Sequence, residues 1–303
     1  MNILILAYNR LDNLERLLSS LKNSSAKVYI SVDGGTDPRC LDVQKFCKDL
    51  AEADPEKFLV QISDQNLGVK RGVIKGIDWF FSLEQKGLIL EEDLEFLIED
   101  VDQFLLAADP ILSQPDTIIN LSAFVDLVDI KHTQKLEFNL QNDFYMWGWA
   151  CNGNTWKSFK ATLESPNFSK FLKSSYVSNV KERLFWILII RMLKMNQIDS
   201  WGYLFLFFAV TSTVNYVPNI SLVRNTGLRS GSNYSILSIY KKALGLTNLN
   251  IYNPNDITFL NIQDSLSFQR NKIIRHNINL FSIARLLLWN IIPVRKILKR
   301  KFV

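Results

Sequence analysis

The sequence predicts an α/β fold in which helices cover both faces of a mostly parallel sheet. Short apolar runs and amphipathic helical segments alternate over the first 120 residues, and four of these runs end in polar or acidic residues. Such alternation is typical of parallel sheets, whose right-handed crossovers bring successive strand ends to one edge. The polar ends at residues 8–10, 33–35, 64–68 and 91–93 are therefore expected to meet in one crevice.

Apolar periodicity defines the expected elements in order. It predicts strands at residues 3–7, 27–32, 57–62, 87–90, 117–121 and 214–217. It predicts helices at residues 11–21, 40–53, 68–83 and 95–108, the last closed by Pro110. Residues 184–193 and 203–210 are apolar but too short for the ~18–20 residues that span a bilayer, so we expect buried helices there.

Composition excludes several classes of protein. The 303 residues are 48% hydrophobic and 21% charged, which excludes a largely disordered chain. The net charge of +5 is mild, and no basic, aromatic-interleaved face is evident, so nucleic acid is not an expected partner. Cys40, Cys47 and Cys151 match no zinc spacing and suit a reducing cytoplasm.

The most informative stretch is residues 87–93 (GLILEED), where an apolar run ends in Glu91, Glu92 and Asp93. Acidic residues are depleted inside strands, so these three are expected at a strand's carboxyl end, where open α/β sheets bind ligands. Clustered carboxylates repel one another unless a cation neutralises them, and oxygen ligands suit Mn²⁺ or Mg²⁺. A solvated acidic loop is the alternative.

Other polar residues at the same edge are suited to bind a nucleotide. Asp33 precedes two glycines and can accept hydrogen bonds from a uracil or thymine ring, or simply form an Asp-Gly turn. Arg10 follows the first strand, where it can meet a phosphate or base or remain a surface cation. Lys70 and Arg71 begin a helix, whose amino end favours anions, but they also fit a solvated helix face.

Candidates for the reaction itself lie in the second half of the chain. Asp199 stands near Trp201, and a carboxylate beside an aromatic wall gains the basicity of a general base; a helix N-cap is the alternative. Trp147 and Trp149 would present both rings on one face of an extended segment and hold a sugar, unless they belong to the core. P-loop, G-x-G-x-x-G and G-x-S-x-G motifs are missing from the sequence, which argues against triphosphatases, dehydrogenases and α/β-hydrolases.

Seven motifs occur in order between residues 3 and 235: LAYNR at 6–10, VDG at 32–34, NLG at 66–68, LEED at 90–93, WGWA at 147–150, DSW at 199–201 and SLVRNTG at 221–227. Together they resemble a bacterial group of nucleotide-diphospho-sugar glycosyltransferases with the GT-A fold. That group is similar to the inverting N-acetylglucosaminyltransferase I-like family, which opens the complex N-glycan pathway.

The resemblance implies a role for each matching position. Asp93 would be the direct Mn²⁺ ligand, Glu92 would contact the donor ribose, and Asp33 would bind the base in a pocket that Arg10 lines. Asp199 would be the general base, and residues 225–235 would form a loop that closes over the donor. The expected donor-binding set is Asn9, Arg10, Asp33, Asn66, Lys70, Arg71, Glu91 and Glu92. The expected acceptor and loop set is Trp147, Trp149, Trp201, Asn225 and Gly227.

The implied function is metal-dependent transfer of a sugar from a UDP- or dTDP-sugar to a hydroxyl of a glycan or lipid-linked glycan. The resemblance further implies inversion at the anomeric carbon and a role in O-antigen or capsule synthesis. A nucleotidyltransferase is a weaker alternative, because residues 8–12 lack its usual Gly-rich basic motif. Departures from the family pattern at Glu92, Cys151 and Tyr234 leave open a non-catalytic carbohydrate-binding or scaffold protein with a decayed site.

The expected domain organisation is a transferase domain at residues 1–240 and a C-terminal extension at 241–303. The first would contain a nucleotide-binding half, 1–122, and an acceptor half with the donor loop, 123–240. Residues 278–303 combine Leu, Ile and Trp with a basic end, which predicts either an interfacial helix on an anionic membrane or a helix packed on the domain. We therefore expect a cytoplasmic protein, peripheral at the inner face of the plasma membrane if the tail binds there.

Overall fold

The structure is a computed structural model that describes residues 1–98, 100–114, 117–125, 135–136, 138–141, 144–196, 198, 201–219, 221–226 and 258–259. Its strands are β1 Asn2–Ala7, β2 Val28–Val32, β3 Phe58–Ile62, β4 Lys86–Glu91, β5 Leu94–Phe96, β6 Ile119–Ser122, β7 Lys135–Leu136, β8 Phe138–Gln141, β9 Trp149–Asn152, β10 Val214–Pro218, β11 Val223–Asn225 and β12 Thr258–Phe259. Its helices are α1 Leu11–Ser20, α2 Pro38–Ala53, α3 Gly68–Leu83, α4 Val101–Leu112, α5 Gly153–Thr162, α6 Phe168–Leu172, α7 Val180–Lys194 and α8 Trp201–Ser212.

One mixed sheet organises these elements. Its strand order is β3-β2-β1-β4-β9-β6-β10-β8, and β3, β2, β1 and β4 are all parallel neighbours. β9 runs antiparallel to both β4 and β6, while β10 is parallel to β6 and antiparallel to β8. The α/β class with a mostly parallel sheet is confirmed, and the carboxyl ends of β1 to β4 lie along one edge as expected.

Helices pack on both faces because the buried strands are apolar on both sides. Ile3 and Ile5 of β1 point into a core formed with α1, α2 and α4, whereas Leu4 and Leu6 point into a second core formed with α3, α5, α7 and α8. This alternation follows from the two-residue period of a strand. Both cores contain side chains with no solvent exposure, among them Leu14 in the first and Phe205 in the second.

The region after β4 differs from the sequence prediction. A helix was expected at residues 95–108, but residues 94–96 form β5, and α4 begins only at Val101. β5 pairs with β11, a strand far along the chain, so a tertiary pairing overrides the local helical pattern. Pro110 does not close α4 but lies inside it, within the last turn, where its missing N–H removes only one helical hydrogen bond.

The two apolar helices of the second half differ in exposure. α8 is buried almost throughout, as expected, with eight buried residues. α7 is buried over most of the predicted segment but exposes Val180, Leu184 and Ile187 on one side, so its burial is only partial. In the described part of the chain, none of the helices has both the length and the apolar character required to cross a membrane. The predicted domain boundary at 240/241 and the tail at 278–303 lie outside the described residues.

Candidate active site

The acidic run lies at the carboxyl end of β4, as the sequence predicts. β4 ends at Glu91, and the backbone N–H of Glu92 donates to Leu6 O of β1 at 2.9 Å, which extends the parallel ladder by one residue. Glu92 and Asp93 are 6% and 9% exposed, so this is not a solvated acidic loop. Burial of consecutive carboxylates is costly unless partners neutralise them.

The hydrogen-bond and ion-pair partners of Glu92 and Asp93 lie in the segment after β1. The backbone N–H of Tyr8 donates to Glu92 Oε2 at 2.7 Å. Arg10 Nη1 donates to Asp93 Oδ2 at 2.5 Å, and Arg10 Nε lies 3.9 Å from Glu92 Oε1. Arg10 is therefore the cation of the carboxylate cluster and not a free surface residue.

One arginine does not balance the cluster. Burial raises the pKa of Glu91 to about 8, with a further rise from the charge of Asp93 and an opposing effect of Arg10. Burial also raises the pKa of Glu92 to about 7, although the hydrogen bond from the Tyr8 backbone and the charge of Arg10 act in the opposite direction. Both carboxyl groups therefore hold their protons more tightly than usual, and a further cation at this edge would favour their ionised forms.

The second part of the site is the turn between β3 and α3. Asp33, at the end of β2, accepts hydrogen bonds from the backbone N–H groups of Gly34 at 3.0 Å, Leu67 at 2.9 Å and Gly68 at 3.1 Å. A Cβ on Gly34 would overlap the backbone of Ser63 and Gln65, so only glycine allows this close approach. In this structure both oxygens of the Asp33 carboxylate accept from backbone N–H groups and hold this turn. Asp33 therefore does more than form a local Asp-Gly turn.

Asn66 connects the same turn to the first strand. Its Nδ2 donates to Tyr8 Oη at 2.7 Å, and its Oδ1 accepts from the Gly68 N–H at 2.8 Å. Lys70 and Arg71 follow in the first turn of α3, and neither forms an ion pair with any other described residue. Asn9 lies between Tyr8 and Arg10 at this edge.

A segment from the second half of the chain completes the edge. Thr226 donates to Asp93 O twice, through its backbone N–H at 2.7 Å and its Oγ1 at 3.0 Å. Asn225 Nδ2 lies 3.5 Å from Asp93 Oδ1. Asn225 ends β11 and Thr226 follows it, and Arg224 ties this strand to β5 through a pair with Glu95 Oε2 at 2.7 Å. The sequence predicted Asn225, placed Thr226 only within the expected donor loop and assigned no role to Tyr8. Their contacts with Glu92 and Asp93 depend in part on backbone atoms, which leave no compositional signal.

The aromatic residues are arranged differently from the prediction. Gly148 has φ +70°, so the segment is not extended there, and the two rings do not share one face. Trp147 packs at Phe124, with ring centroids 4.7 Å apart, on one side of the sheet. Trp149 is 1% exposed and packs on Phe205 in the other core, where Trp201 is 4% exposed. Trp149 and Trp201 are therefore core residues in this structure.

The predicted general base and the donor loop fall partly outside the described chain. Asp199 and Gly227 lie outside the described residues, as do residues 228–235 of the expected loop. Ile198, next to Asp199, lines a cavity of about 380 Å³ together with Lys70, Phe168, Leu193 and Lys194. This cavity therefore adjoins the start of α3 and the segment that carries the expected base.

The oxygen ligands at this edge limit how a divalent cation could be bound. Within the described residues, no group of three His, Cys, Asp or Glu side chains is placed to hold a metal ion. Asp93 Oδ2 is taken by Arg10, while Oδ1 is approached only by Asn225 at 3.5 Å. This set does not fit an all-protein metal cage. It fits a hard cation bound through one carboxylate and the phosphates of a substrate, which is the usual mode for Mg²⁺ and similar ions.

Comparisons with known proteins identify no family. No protein-family model and no curated protein matches the sequence. Solved structures that match include an inositol-1-phosphate CTP transferase from T. maritima, at 11% identity, TM-score 0.39, covering 80% of this chain and 97% of that one. A mannosyltransferase from Pyrobaculum calidifontis in complex with GDP-Man and Mn²⁺ matches at 10% identity, TM-score 0.36, covering 82% and 76%.

A putative glucose-1-phosphate thymidylyltransferase from Bacillus anthracis, in complex with sucrose, also matches, at 13% identity, TM-score 0.34, covering 53% of this chain and 74% of that one. These neighbours are nucleotidyl- and glycosyltransferases with α/β folds. At such low TM-scores the matches carry no argument about activity. None of them specifically supports the N-acetylglucosaminyltransferase I-like family.

Proposed function

We propose that this chain is a metal-dependent glycosyltransferase that moves a sugar from a nucleotide-diphospho-sugar to a hydroxyl of a glycan or lipid-linked glycan. One observation carries the proposal. The acidic run after β4, Arg10 after β1, and Thr226 after β11 meet at the carboxyl edge of a mostly parallel sheet. Ligands of open α/β sheets bind at this edge.

Each part of the site has a proposed task. Asp93 would hold a divalent cation, Mn²⁺ or Mg²⁺, which when bound would neutralise charge on the diphosphate leaving group. The turn that Asp33 fixes would receive the base, and Glu92 the ribose. Lys70 and Arg71, at the amino end of α3, would face the phosphates.

The chemical step is proposed from the sequence resemblance. Asp199 would accept the proton of the acceptor hydroxyl as that oxygen attacks the anomeric carbon, and the bond from that carbon to the diphosphate would break with inversion. The position of Ile198 at the cavity beside Lys70 supports an acceptor site on this side. Residues 225–235 would cover the donor and exclude water, which limits hydrolysis. A role in surface polysaccharide synthesis belongs to the same proposal.

The binding test is calorimetric titration of UDP and dTDP into the protein with and without Mn²⁺. The Asp93→Asn variant keeps the size of the side chain and removes its charge. Asp49→Asn, on the exposed face of α2, is the matched control. We expect metal-dependent binding in the native protein and the control, and loss of the metal-dependent part in Asp93→Asn. Absence of binding to either nucleotide would contradict the proposal and favour the non-catalytic carbohydrate-binding alternative.

The catalytic test separates a working site from a decayed one. Donor consumption is measured with a panel of UDP- and dTDP-sugars and glycan acceptors. We expect Asp93→Asn to lower the rate by ~10² or more, the scale for removal of a major electrostatic stabiliser. Asp199→Asn should retain nucleotide binding but lose transfer. Nucleotide binding without turnover of any donor would support a decayed site.

A further inference from the structure

The exposed side of α7 is a second surface that the proposed site does not use. Val180, Leu184, Ile187 and Met195 are 83%, 39%, 44% and 50% exposed, and we call these four residues the α7 stripe. Their spacing along the chain places them on one side of the helix. The opposite side, including Phe185 and Ile189, is buried in the core. The stripe is therefore an apolar surface and not the edge of a poorly packed helix.

Exposed cations surround this stripe. Lys181, Arg183, Arg191 and Lys194 are all exposed. At 100° per residue, Arg183 and Lys194 fall on one flank of the stripe and Lys181 on the other, with Arg191 within it. The one acid of the helix, Glu182, is 6% exposed and accepts hydrogen bonds from Ser178 N at 2.7 Å and Ser178 Oγ at 2.9 Å. It does not offset the cations at the surface.

The charge bias extends beyond the helix. Residues 166–195 contain six cations, Lys170, Lys173, Lys181, Arg183, Arg191 and Lys194, and a single acid, Glu182. The net charge of this segment is +5, so the surface around the α7 stripe is strongly basic. Such a surface, with an apolar stripe and basic flanks, is complementary to a layer of apolar chains covered by anionic headgroups.

We infer that the α7 stripe docks on an anionic lipid bilayer, with the helix lying parallel to the membrane surface. Ile187 and Leu184 would enter the boundary between headgroups and acyl chains, while the flanking lysines and arginines would contact lipid phosphates. The four residues of the stripe lie outside the candidate active site, although the flanking Lys194 also lines the cavity beside Lys70, and the inference does not depend on the proposed activity. It also differs from the tail prediction, because it rests on residues 180–195 alone.

Charge argues against other occupants of this surface. In a symmetric pair of α7 helices, cations of one copy would face cations of the other. The chain's own residues 285–301 are also basic, with Arg285, Arg295, Lys296, Lys299, Arg300 and Lys301. Like charges in contact repel, so neither segment complements α7. Anionic lipid does.

Site-directed fluorescence tests the inference in the full chain. The native cysteines Cys40, Cys47 and Cys151 are all buried, so a polarity-sensitive thiol label reports on an introduced exposed cysteine. Ile187→Cys places the label in the stripe. Leu106→Cys, 74% exposed on α4 between Asp102 and Asp109, is the matched control. Vesicles of phosphatidylcholine are compared with vesicles that also contain phosphatidylglycerol.

With phosphatidylglycerol vesicles, we expect a blue shift and quenching by lipid-borne nitroxides at position 187 but not at 106. High salt should weaken both signals. In co-sedimentation, the Lys181→Glu/Arg183→Glu variant should lose about tenfold or more in partition, since each basic residue adds to surface attraction. An intact far-ultraviolet spectrum of this variant would show that it still folds.

Four outcomes would overturn the inference. One is absence of sedimentation with anionic vesicles. A second is sedimentation without a shift at position 187, which would assign membrane binding to another surface such as the tail. A third is a shift that needs no lipid and grows with protein concentration, which would assign the stripe to a second copy. The fourth is a shift with an acidic polypeptide but not with vesicles, which would indicate a protein partner.

Discussion

Arg10 Nη1 lies 2.5 Å from Asp93 Oδ2, so the cation that follows β1 holds the carboxylate that follows β4. The two residues are 83 positions apart and meet because β1 and β4 are parallel neighbours in the sheet. A divalent cation bound by Asp93 and Arg10 would thus compete for the charge of the same carboxylate. Under the proposed function, the metal affinity of the free protein should therefore depend on Arg10.

We expect Arg10→Ala to bind Mn²⁺ more tightly than the native protein when nucleotide is absent. Removal of a contacting cation worth about 1 kcal/mol would raise the affinity by roughly fivefold. Electron paramagnetic resonance of unbound Mn²⁺ measures this directly. Arg16→Ala, on the exposed side of α1, is the control and should leave the affinity unchanged. Weaker binding in Arg10→Ala would instead mean that Arg10 orients Asp93 for the metal.

Asp33 should contribute to stability as well as to binding. Asp33→Ala removes the acceptor of three backbone N–H groups, and we expect the free energy of unfolding to fall by about 2–3 kcal/mol. Asp33→Asn keeps one acceptor oxygen and should lose about half as much. Urea denaturation measures both. A loss no larger than that of Asp49→Ala, on the exposed face of α2, would show that the turn does not need the carboxylate.

Asp102 should make stability depend on pH. Burial opposes its ionisation, but hydrogen bonds from Ser24 Oγ at 2.5 Å and from Ser25 N and Oγ at 2.7 and 2.6 Å outweigh that effect and hold the pKa of Asp102 below its ordinary value. A depressed pKa in the folded state stabilises the fold above the unfolded pKa of about 3.9, and this stabilisation is lost as the pH falls through the folded value.

The test is the difference in unfolding free energy between the native protein and Asp102→Asn. We expect the native protein to be more stable at pH 7 and the difference to shrink when the pH falls below about 4. Urea denaturation at several pH values measures it. A difference that stays constant over this range would contradict the prediction.

Arg224 should act on the site through β11. Its Nε and Nη2 lie 2.8 and 2.7 Å from Glu95 Oε2, and this pair secures the strand that leads to Thr226. The pair is partly exposed, so Arg224→Ala should change stability little. We expect Arg224→Ala to lower the affinity for a nucleotide diphosphate by about two- to fivefold. A change of this size corresponds to the energy of a partly exposed ion pair.

The control for this change is Lys160→Ala. Lys160 pairs with Asp78 at 2.9 Å, is 41% exposed like Arg224, and lies in α5, away from β11. Calorimetric titration of UDP with Mn²⁺ compares the two variants. Equal affinities would mean that the 224–226 segment keeps its position without the ion pair.

The first half of the chain was predictable because its signals are local. The predicted helix at residues 68–83 coincides with α3, and β1 to β4 lie within one residue or so of their predicted bounds. Each element there carries its own periodicity and is bounded by polar residues. The placement of Arg10, Asp33 and Asp93 along one edge of the sheet then follows from a topological rule about parallel strands.

The second half was less predictable because distant partners decide its conformation. Gly148 adopts φ +70° at a point where an added Cβ would lie 3.3 to 3.5 Å from Leu90, Ala123 and Val223, and no local pattern signals that turn. β5 exists because β11 pairs with it. The contribution of Thr226 to the site depends on a hydrogen bond to the Asp93 backbone, which sequence periodicity cannot reveal.

The antiparallel insertion of β9 between β4 and β6 has a consequence for the nascent chain. Synthesis delivers β1 to β4 first, and these four strands can assemble side by side, yet the lateral neighbour of β4 emerges only when Trp149–Asn152 has been made. Until then the free edge of β4 presents the backbone of Gly87, Leu88 and Ile89 to other chains. An unpaired apolar edge recruits further strands. Translation products that stop before Trp149 are therefore expected to aggregate or to depend on chaperones, whereas longer products can cover this edge within the same molecule.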